Sequence, residues 1–275
     1  MNRKICGKSV TGASHIRAEK PCQDSYKCLE LSDTVSVLAV ADGHGSERCP
    51  YSKTGSQIAV NTFCSVIKNL LTGCEEHEHP LDFLMSYLNR EGELRIAQTI
   101  EEEWKNRVWK AHRKNKRDKV LDAEGNLDMD SVYRLYGTTL LGLLITPEFL
   151  FGFQLGDGDI LRIDAEQVQP VIMADKILGT ETHSLSSRNA WKKTITVMRS
   201  RDEMTESPHL YLMSTDGFAN SYPSAEAFEQ TCREYFEMIQ EHGFETVAGN
   251  LKAWLNETSE QGCGDDITLV MAYYC

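Results

Sequence analysis

Residues 35–45 read VSVLAVADGHG, a short apolar run that stops abruptly at Asp42-Gly43-His44-Gly45. A run of this length that ends in turn residues is typical of a buried strand. The glycine after Asp42 lets the backbone approach its neighbours closely at that point. The stretch therefore predicts a buried strand that ends in a carboxylate.

The same pattern recurs in three other parts of the chain: Gly156-Asp157-Gly158 after Phe149–Leu155, Asp216-Gly217 after the run from Leu210, and Gly264-Asp265-Asp266 before Ile267–Tyr274. A lone Asp-Gly is ordinary turn chemistry, but four strand-end placements together favour a site. In antiparallel sheets the start of the last strand shares a rim with the ends of its neighbours. Carboxylates that meet there repel each other unless a hard cation neutralises them, so the pattern predicts a divalent-metal site.

The order of the predicted elements indicates an α+β fold. Strands are predicted at 4–12, 25–31, 34–41, 138–145, 149–155, 160–164, 168–172, 194–199, 209–214 and 267–274, and helices at 52–71, 81–88, 94–116, 225–241 and 244–257. The links at 146–148 and 156–159 are too short for a parallel crossover, so these strands must be antiparallel neighbours. We expect antiparallel sheets with helix pairs outside, in a single domain over residues 1–275.

Composition excludes several classes of protein. The net charge of −12 argues against nucleic acid and anionic membrane surfaces, since both need clustered cations. The nine scattered cysteines contain no C-x-x-C and favour free thiols over a disulfide scaffold. The first residues lack the apolar stretch of a signal peptide, and no segment has the ~20 apolar residues of a membrane span. We expect a cytoplasmic protein.

The motifs together resemble the metal-dependent type 2C Ser/Thr protein phosphatases, the PPM family. The resemblance is carried by VLAVADGHG at 37–45, GTT at 137–139, GDG at 156–158, STDG at 214–217 and GDDITLV at 264–270, with PCQD at 21–24 as the opening motif. They occur in the order and spacing of that family and cover the chain from about residue 8. The opening motif is more similar to a bacterial branch. The resemblance implies a four-layer α-β-β-α sandwich with a metal pair in a cleft at the sheet edge.

The resemblance also implies roles for particular residues. Two Mn²⁺ or Mg²⁺ ions, with a weaker third one, would be held by Asp42 as the bridging ligand, the Gly43 carbonyl, Asp216, Asp265, Asp24 in the outer shell, and Asp157 at the third ion. Two such ions activate a shared water and offset charge on the phosphoryl oxygens. His44 would protonate the leaving group, because its imidazole titrates in the right range. The alternative for His44 is a turn residue without a catalytic role.

The chain departs from the family pattern at three places. Glu19 stands where an arginine usually clamps the substrate phosphate, so we expect Arg17 to substitute, the alternative being a solvated surface charge. Asp159 follows the GDG motif in place of an arginine, and we interpret it as a turn residue rather than an added ligand. Asp266 replaces an asparagine, and either raises metal affinity or needs a nearby cation.

Residues 73–136 form a longer segment than the family core requires, and we predict a helical insertion that binds a partner. The basic run Arg113–Lys119 within it is interpreted as a solvated helix end that matches the helix dipole. The loop EEHEH at 75–79 is interpreted as flexible and acidic rather than metal-binding.

These observations predict an Mn²⁺/Mg²⁺-dependent phosphatase that removes phosphate from phosphoserine or phosphothreonine by attack of a metal-bridging hydroxide. Its expected partners are phosphorylated proteins and a Ser/Thr kinase. One alternative, suggested by Glu19 and the altered GDG motif, is a catalytically silent binding module of the same fold. Another is a hydrolase for a different phosphoester.

Overall fold

The computed structural model describes residues 3–117, 119–173, 182–200 and 208–275. Ten strands in this part of the chain form two antiparallel sheets of five strands each. They are β1 (Arg3–Val10), β2 (Ser25–Glu30), β3 (Ser36–Ala41), β4 (Leu140–Ile145), β5 (Phe149–Leu155), β6 (Asp159–Ile163), β7 (Val168–Pro170), β8 (Ile195–Ser200), β9 (His209–Ser214) and β10 (Ile267–Tyr274). We call the sheet ordered β1-β10-β9-β6-β7 the first sheet and the one ordered β2-β3-β4-β5-β8 the second sheet.

Eight α-helices accompany the sheets in the described residues. They are α1 (Ala13–Arg17), α2 (Ser52–Cys74), α3 (Pro80–Tyr87), α4 (Glu93–Lys114), α5 (Met129–Arg134), α6 (Asp216–Ala219), α7 (Ala225–His242) and α8 (Phe244–Gln261). A π-helical turn at Leu88–Gly92 joins α3 to α4, and a 3₁₀ turn lies at Ala190–Lys193. None of the helices in these ranges is long and apolar enough to span a membrane.

The four layers follow from the packing of alternate side chains along each strand, which lie in different cores. In β3 every residue is buried, because Val37 and Ala39 face the core under α2 while Leu38 and Val40 face the first sheet. A strand covered on both faces has no polar alternation, which explains its unbroken apolar sequence. On the opposite side, α7 and α8 cover the outer face of the first sheet. The predicted α-β-β-α sandwich is confirmed.

The helical segment between residues 73 and 136 is part of this packing. Ile96, Ile100, Trp104 and Val108 of α4 are buried in the same core as α2, and the Trp104 indole N–H donates to the Gly55 carbonyl at 3.0 Å. A buried apolar face at helical spacing stabilises α4 against α2. The role of this segment as a partner-binding insertion stays a prediction.

Candidate metal centre

Asp42 is held at the end of β3 by the two threonines that precede β4. The Asp42 N–H donates to the Thr139 hydroxyl at 2.9 Å. Its carbonyl accepts from the Thr138 hydroxyl at 2.7 Å and from the Thr139 N–H at 2.8 Å. Both threonines, which immediately precede β4, therefore serve as hydrogen-bond partners of the Asp42 backbone. They fix the backbone from which the Asp42 carboxylate projects.

Gly43 follows at a point where two chain segments meet. It is buried, and a Cβ there would lie 2.7 Å from the Gln23 carbonyl oxygen and 2.9 Å from that of Ser52. Such distances are far inside van der Waals contact, so only glycine fits. This close approach brings the segment before β2, and with it Asp24, against the end of β3.

Asp24 is buried at this rim, and Asp42 beside it is half-buried. The Thr215 hydroxyl donates to Asp24 Oδ2 at 2.7 Å, whereas the buried Oδ1 has no hydrogen-bond partner in the described part of the chain. Burial raises the pKa of Asp24 to about 8 against the opposing Thr215 hydrogen bond, and the charge of Asp266 adds to the rise. Burial, followed by the charges of Asp24, Asp216 and Asp265, raises the pKa of Asp42 well above its usual value.

The first sheet completes the cluster. Burial, followed by the charges of Asp157 and Asp265, raises the pKa of Asp216 to about 6. Asp157 accepts a hydrogen bond of 2.6 Å from the Thr182 hydroxyl, and the Asp265 side chain is 53% exposed. Neighbouring carboxylates, Asp157 and Asp265 among them, therefore add to burial in raising the pKa values of Asp42 and Asp216.

The donor set fits a hard divalent cation. Across the ranges that the structure describes, no three His, Cys, Asp or Glu side chains close around a common point as a finished metal cage. Mg²⁺ and Mn²⁺ take water and backbone carbonyl oxygen beside one or two carboxylates, so they need no such cage. The unpartnered, buried Asp24 Oδ1 and the raised pKa values of Asp24, Asp42 and Asp216 fit a rim that binds a cation.

Comparison with known proteins gives the family. The sequence model of protein phosphatase 2C matches residues 11–256. The chain belongs to the protein phosphatase 2C family. Among curated proteins, none matches this sequence.

Solved structures of low sequence identity share the fold. One is the serine/threonine phosphatase of S. agalactiae (14% identity, TM-score 0.61, covering 99% of this chain and 100% of that one). Another is the photosystem II phosphatase PBCP (13% identity, TM-score 0.60, 100% and 99%). A third is the catalytic domain of PstP in complex with two manganese ions (14% identity, TM-score 0.56, 98% and 97%).

In this phosphatase 2C chain, Asp266 is a structural acceptor. The buried carboxylate accepts from the Gly12 N–H and the Gln23 N–H, both at 2.7 Å, and its Oδ1 lies 2.9 Å from His15 Nδ1. Three nitrogen groups thus surround an acceptor-only side chain. Asp266 joins the segment before β2 to the start of β10, and of the two adjacent aspartates only Asp265 reaches the exposed rim.

His15 is a rim residue that the sequence did not single out. It lies on α1, with Nε2 3.8 Å from Asp265 Oδ1. The one sequence signal that could have indicated His15 is its position two residues before Arg17. Arg17 is exposed and is the last residue of the same helix. A Cβ placed on Gly264 would lie 3.8 Å from Arg17 Nη2. Arg17 is therefore beside the Asp265 turn, while Glu19 is exposed with a φ of 54°.

His44 and Asp159 lie on different sides of the sheets. His44 is half-buried, and its N–H donates to the Gly137 carbonyl at 3.2 Å. Asp159 begins β6 and is near Cys232 of α7, where burial and then the Asp159 charge raise the pKa of the thiol. This location agrees with the interpretation of Asp159 as a backbone-turn residue rather than an added ligand.

Proposed function

We propose that this protein is an Mn²⁺/Mg²⁺-dependent phosphatase that hydrolyses phosphoserine and phosphothreonine in proteins. One observation carries the proposal: the half-buried Asp42 carboxyl lies beside the carboxyl groups of Asp24, Asp216 and Asp265, whose charges add to burial in raising its pKa. Membership of the protein phosphatase 2C family supports it. The proposed partners are phosphorylated proteins and the Ser/Thr kinases that act on them.

The ions would be held by Asp42 between them, with the Gly43 carbonyl, Asp216 and Asp265 as further ligands and Asp24 behind coordinated water. Asp157 would serve a third, weaker ion. When bound, divalent ions supply an activated water and offset the charge on the phosphoryl oxygens. In that role Asp24 and Asp42 lose the protons that burial favours, because the cation replaces them.

The chain itself would supply the remaining steps. His44, two residues after Asp42, would give a proton to the departing serine or threonine oxygen, which is a poor leaving group without it. Arg17, exposed beside the Asp265 turn, would bind the phosphate from the solvent side. The nine free cysteines support a reducing, cytoplasmic location.

The test is phosphate release from a phosphothreonine peptide with and without Mn²⁺. Asp42→Asn, Asp216→Asn and Asp265→Asn should each abolish release. Asp159→Asn is the matched control, since that carboxylate is close in sequence to Asp157 but near Cys232, and it should keep activity within about twofold. Full turnover by the three ligand variants would overturn the proposal.

The second candidate is a catalytically silent binding module. Glu19, an exposed carboxylate two residues after Arg17, favours it because a carboxylate in place of the phosphate-binding arginine would repel phosphate. Calorimetric titration with Mn²⁺ distinguishes the two candidate functions. A silent module that has lost its metal site binds no ion, whereas the enzyme does. A panel of nucleotide and small phosphoesters tests the remaining alternative.

A further inference from the structure

One arginine of the basic run after α4 lies against aromatic rings instead of in solvent. The Arg117 guanidinium carbon is 3.4 Å from the centre of the Tyr51 ring, and Nη1 donates to the Tyr136 hydroxyl at 2.5 Å. His112 Nδ1 is 3.2 Å from the same hydroxyl. Tyr136 is fully buried. The earlier interpretation of this run as wholly solvated is wrong for Arg117, because the tyrosines bind its charged group.

The two tyrosines flank the loop that carries His44. Tyr51 closes this loop before α2, and its N–H donates to the Leu135 carbonyl at 2.9 Å. Tyr136 precedes Gly137, whose carbonyl accepts from the His44 N–H. A Cβ at Gly137 would lie 2.7 Å from His44 Cδ2, so the imidazole packs directly on this glycine. Both ends of the loop therefore rest on residues 135–137.

We propose that Arg117 is a positioning residue that sets the placement of the His44 imidazole through Tyr51 and Tyr136. This inference rests on the proposed function, in which His44 protonates the leaving group. A cation held over an aromatic face and hydrogen-bonded to a second ring restrains both rings. A general acid acts only within hydrogen-bond reach of its oxygen, so a small displacement of His44 is costly.

The test compares Arg117→Ala with Arg113→Ala, a matched control. Arg113 makes its own cation–π contact near the end of α4, to Trp109 at 5.9 Å and not to Tyr51 or Tyr136. With Mn²⁺, Arg117→Ala should lower kcat about tenfold or more on a phosphothreonine peptide, since a general acid contributes ~10²–10⁴-fold. On p-nitrophenyl phosphate, whose leaving group needs no proton, the loss should stay within about twofold. Arg113→Ala should change neither substrate, and Arg117→Lys should recover part of the peptide activity.

A merely structural role would lower both activities together, and that result would overturn the proposal, as would full activity of Arg117→Ala on the peptide. Mn²⁺ affinity measured by calorimetry should not change in Arg117→Ala, and a loss of affinity would place the effect on the metal centre instead. If Arg117→Ala fails to fold, Tyr51→Leu removes the aromatic face and carries the same expectations.

A second readout does not depend on turnover. In nitrogen-15 NMR spectra, the His44 imidazole signals, assigned by their absence in His44→Asn, should shift in Arg117→Ala and not in Arg113→Ala. If the wild-type protein releases no phosphate, the proposed function is wrong. The NMR comparison of the two arginine variants still shows whether Arg117 affects the His44 imidazole. Unchanged His44 signals in Arg117→Ala would refute the positioning role.

Discussion

The two sheets contribute carboxylates of different kinds to the same rim. From the second sheet come Asp24, which is 7% exposed, and the half-buried Asp42, whose carboxyl pKa is raised by burial and then by the Asp24 charge. From the first sheet come Asp216 and Asp265, the latter with 53% of its side chain exposed. We call Asp24 and Asp42 the buried side and Asp265 with its turn the exposed side.

The difference in burial between the two sides separates two properties of a metal site, namely its link to folding stability and its access to ion and substrate. On the buried side, desolvation opposes the charge that a cation needs, so the protein without metal keeps protons there. On the exposed side, water already solvates the carboxylate, and the group is accessible to both ion and substrate. The buried side should therefore link metal binding to stability, and the exposed side should affect binding with little effect on the fold.

The largest expected effects, on phosphate release, come from Asp42→Asn and Asp265→Asn, and the two variants are compared with each other. Both should reduce Mn²⁺-dependent phosphate release by ~10³-fold or more, because each removes a proposed ligand. Only Asp42→Asn should raise the melting temperature in EDTA, by about 2–4 °C for each ~1 kcal/mol of relieved repulsion in a domain of this size. Differential scanning fluorimetry with EDTA measures this, and an equal change in both variants would remove the distinction between the two sides.

The pH dependence of folding stability tests the same difference between the buried and exposed sides. In the folded protein without metal, burial raises the pKa of Asp24 to about 8 and that of Asp216 to about 6, whereas unfolded aspartates titrate near ~3.9. The folded state therefore holds extra protons, and its stability should fall as the pH rises from about 4 through 6 and 8. Mn²⁺ should reverse the trend, because ion and protons compete.

Urea unfolding in EDTA between pH 5 and 8 tests this expectation. Asp24→Asn serves as the control and should flatten the upper part of the curve. A stability that rises with pH in wild-type protein without metal would contradict the assignment of protons to the buried side.

A smaller effect is expected from the residue that joins the two sides. Asp266→Asn replaces one acceptor oxygen by a donor while the N–H groups of Gly12 and Gln23 still point at it. We expect a loss of ~1–3 kcal/mol in the free energy of unfolding, the cost of an unsatisfied buried group. Denaturant unfolding measures it, and Glu260→Gln, an exposed change on nearby α8, is the control. An unchanged midpoint would contradict the acceptor role.

The smallest effect should come from Cys263 on the exposed side. Its thiol is exposed and lies 3.4 Å from the Gly217 carbonyl oxygen. Serine keeps a donor at this position, so Cys263→Ser should alter the free energy of unfolding by less than ~0.5 kcal/mol and turnover by less than about twofold. A large loss of phosphate release would show that the thiol takes part in the site.

Most of the long elements could be predicted from sequence because their signals are local. The predicted strand 209–214 and helix 225–241 match β9 and α7 to within one residue. The short helices α1, α5 and α6 were missed, since four to six residues show no helical period. A signal for α5 did exist: the Asp128 carboxylate accepts from the Ser131 N–H at 3.0 Å, and an Asp three residues before such a donor is a common helix start.

Local sequence patterns were enough to predict an antiparallel α+β fold and the carboxylates at its strand ends, because apolar runs and Asp-Gly turns act within a few residues. The four-layer sandwich followed from the family resemblance and not from these patterns. Only the tertiary structure decided what adjacent or similar residues do. Asp266 turns inward to backbone N–H groups while Asp265 is exposed, and Arg117 lies on Tyr51 although its basic run was interpreted from sequence as solvated. The physical reason is that such partners come from distant parts of the chain, and burial and charge pairing depend on that packing.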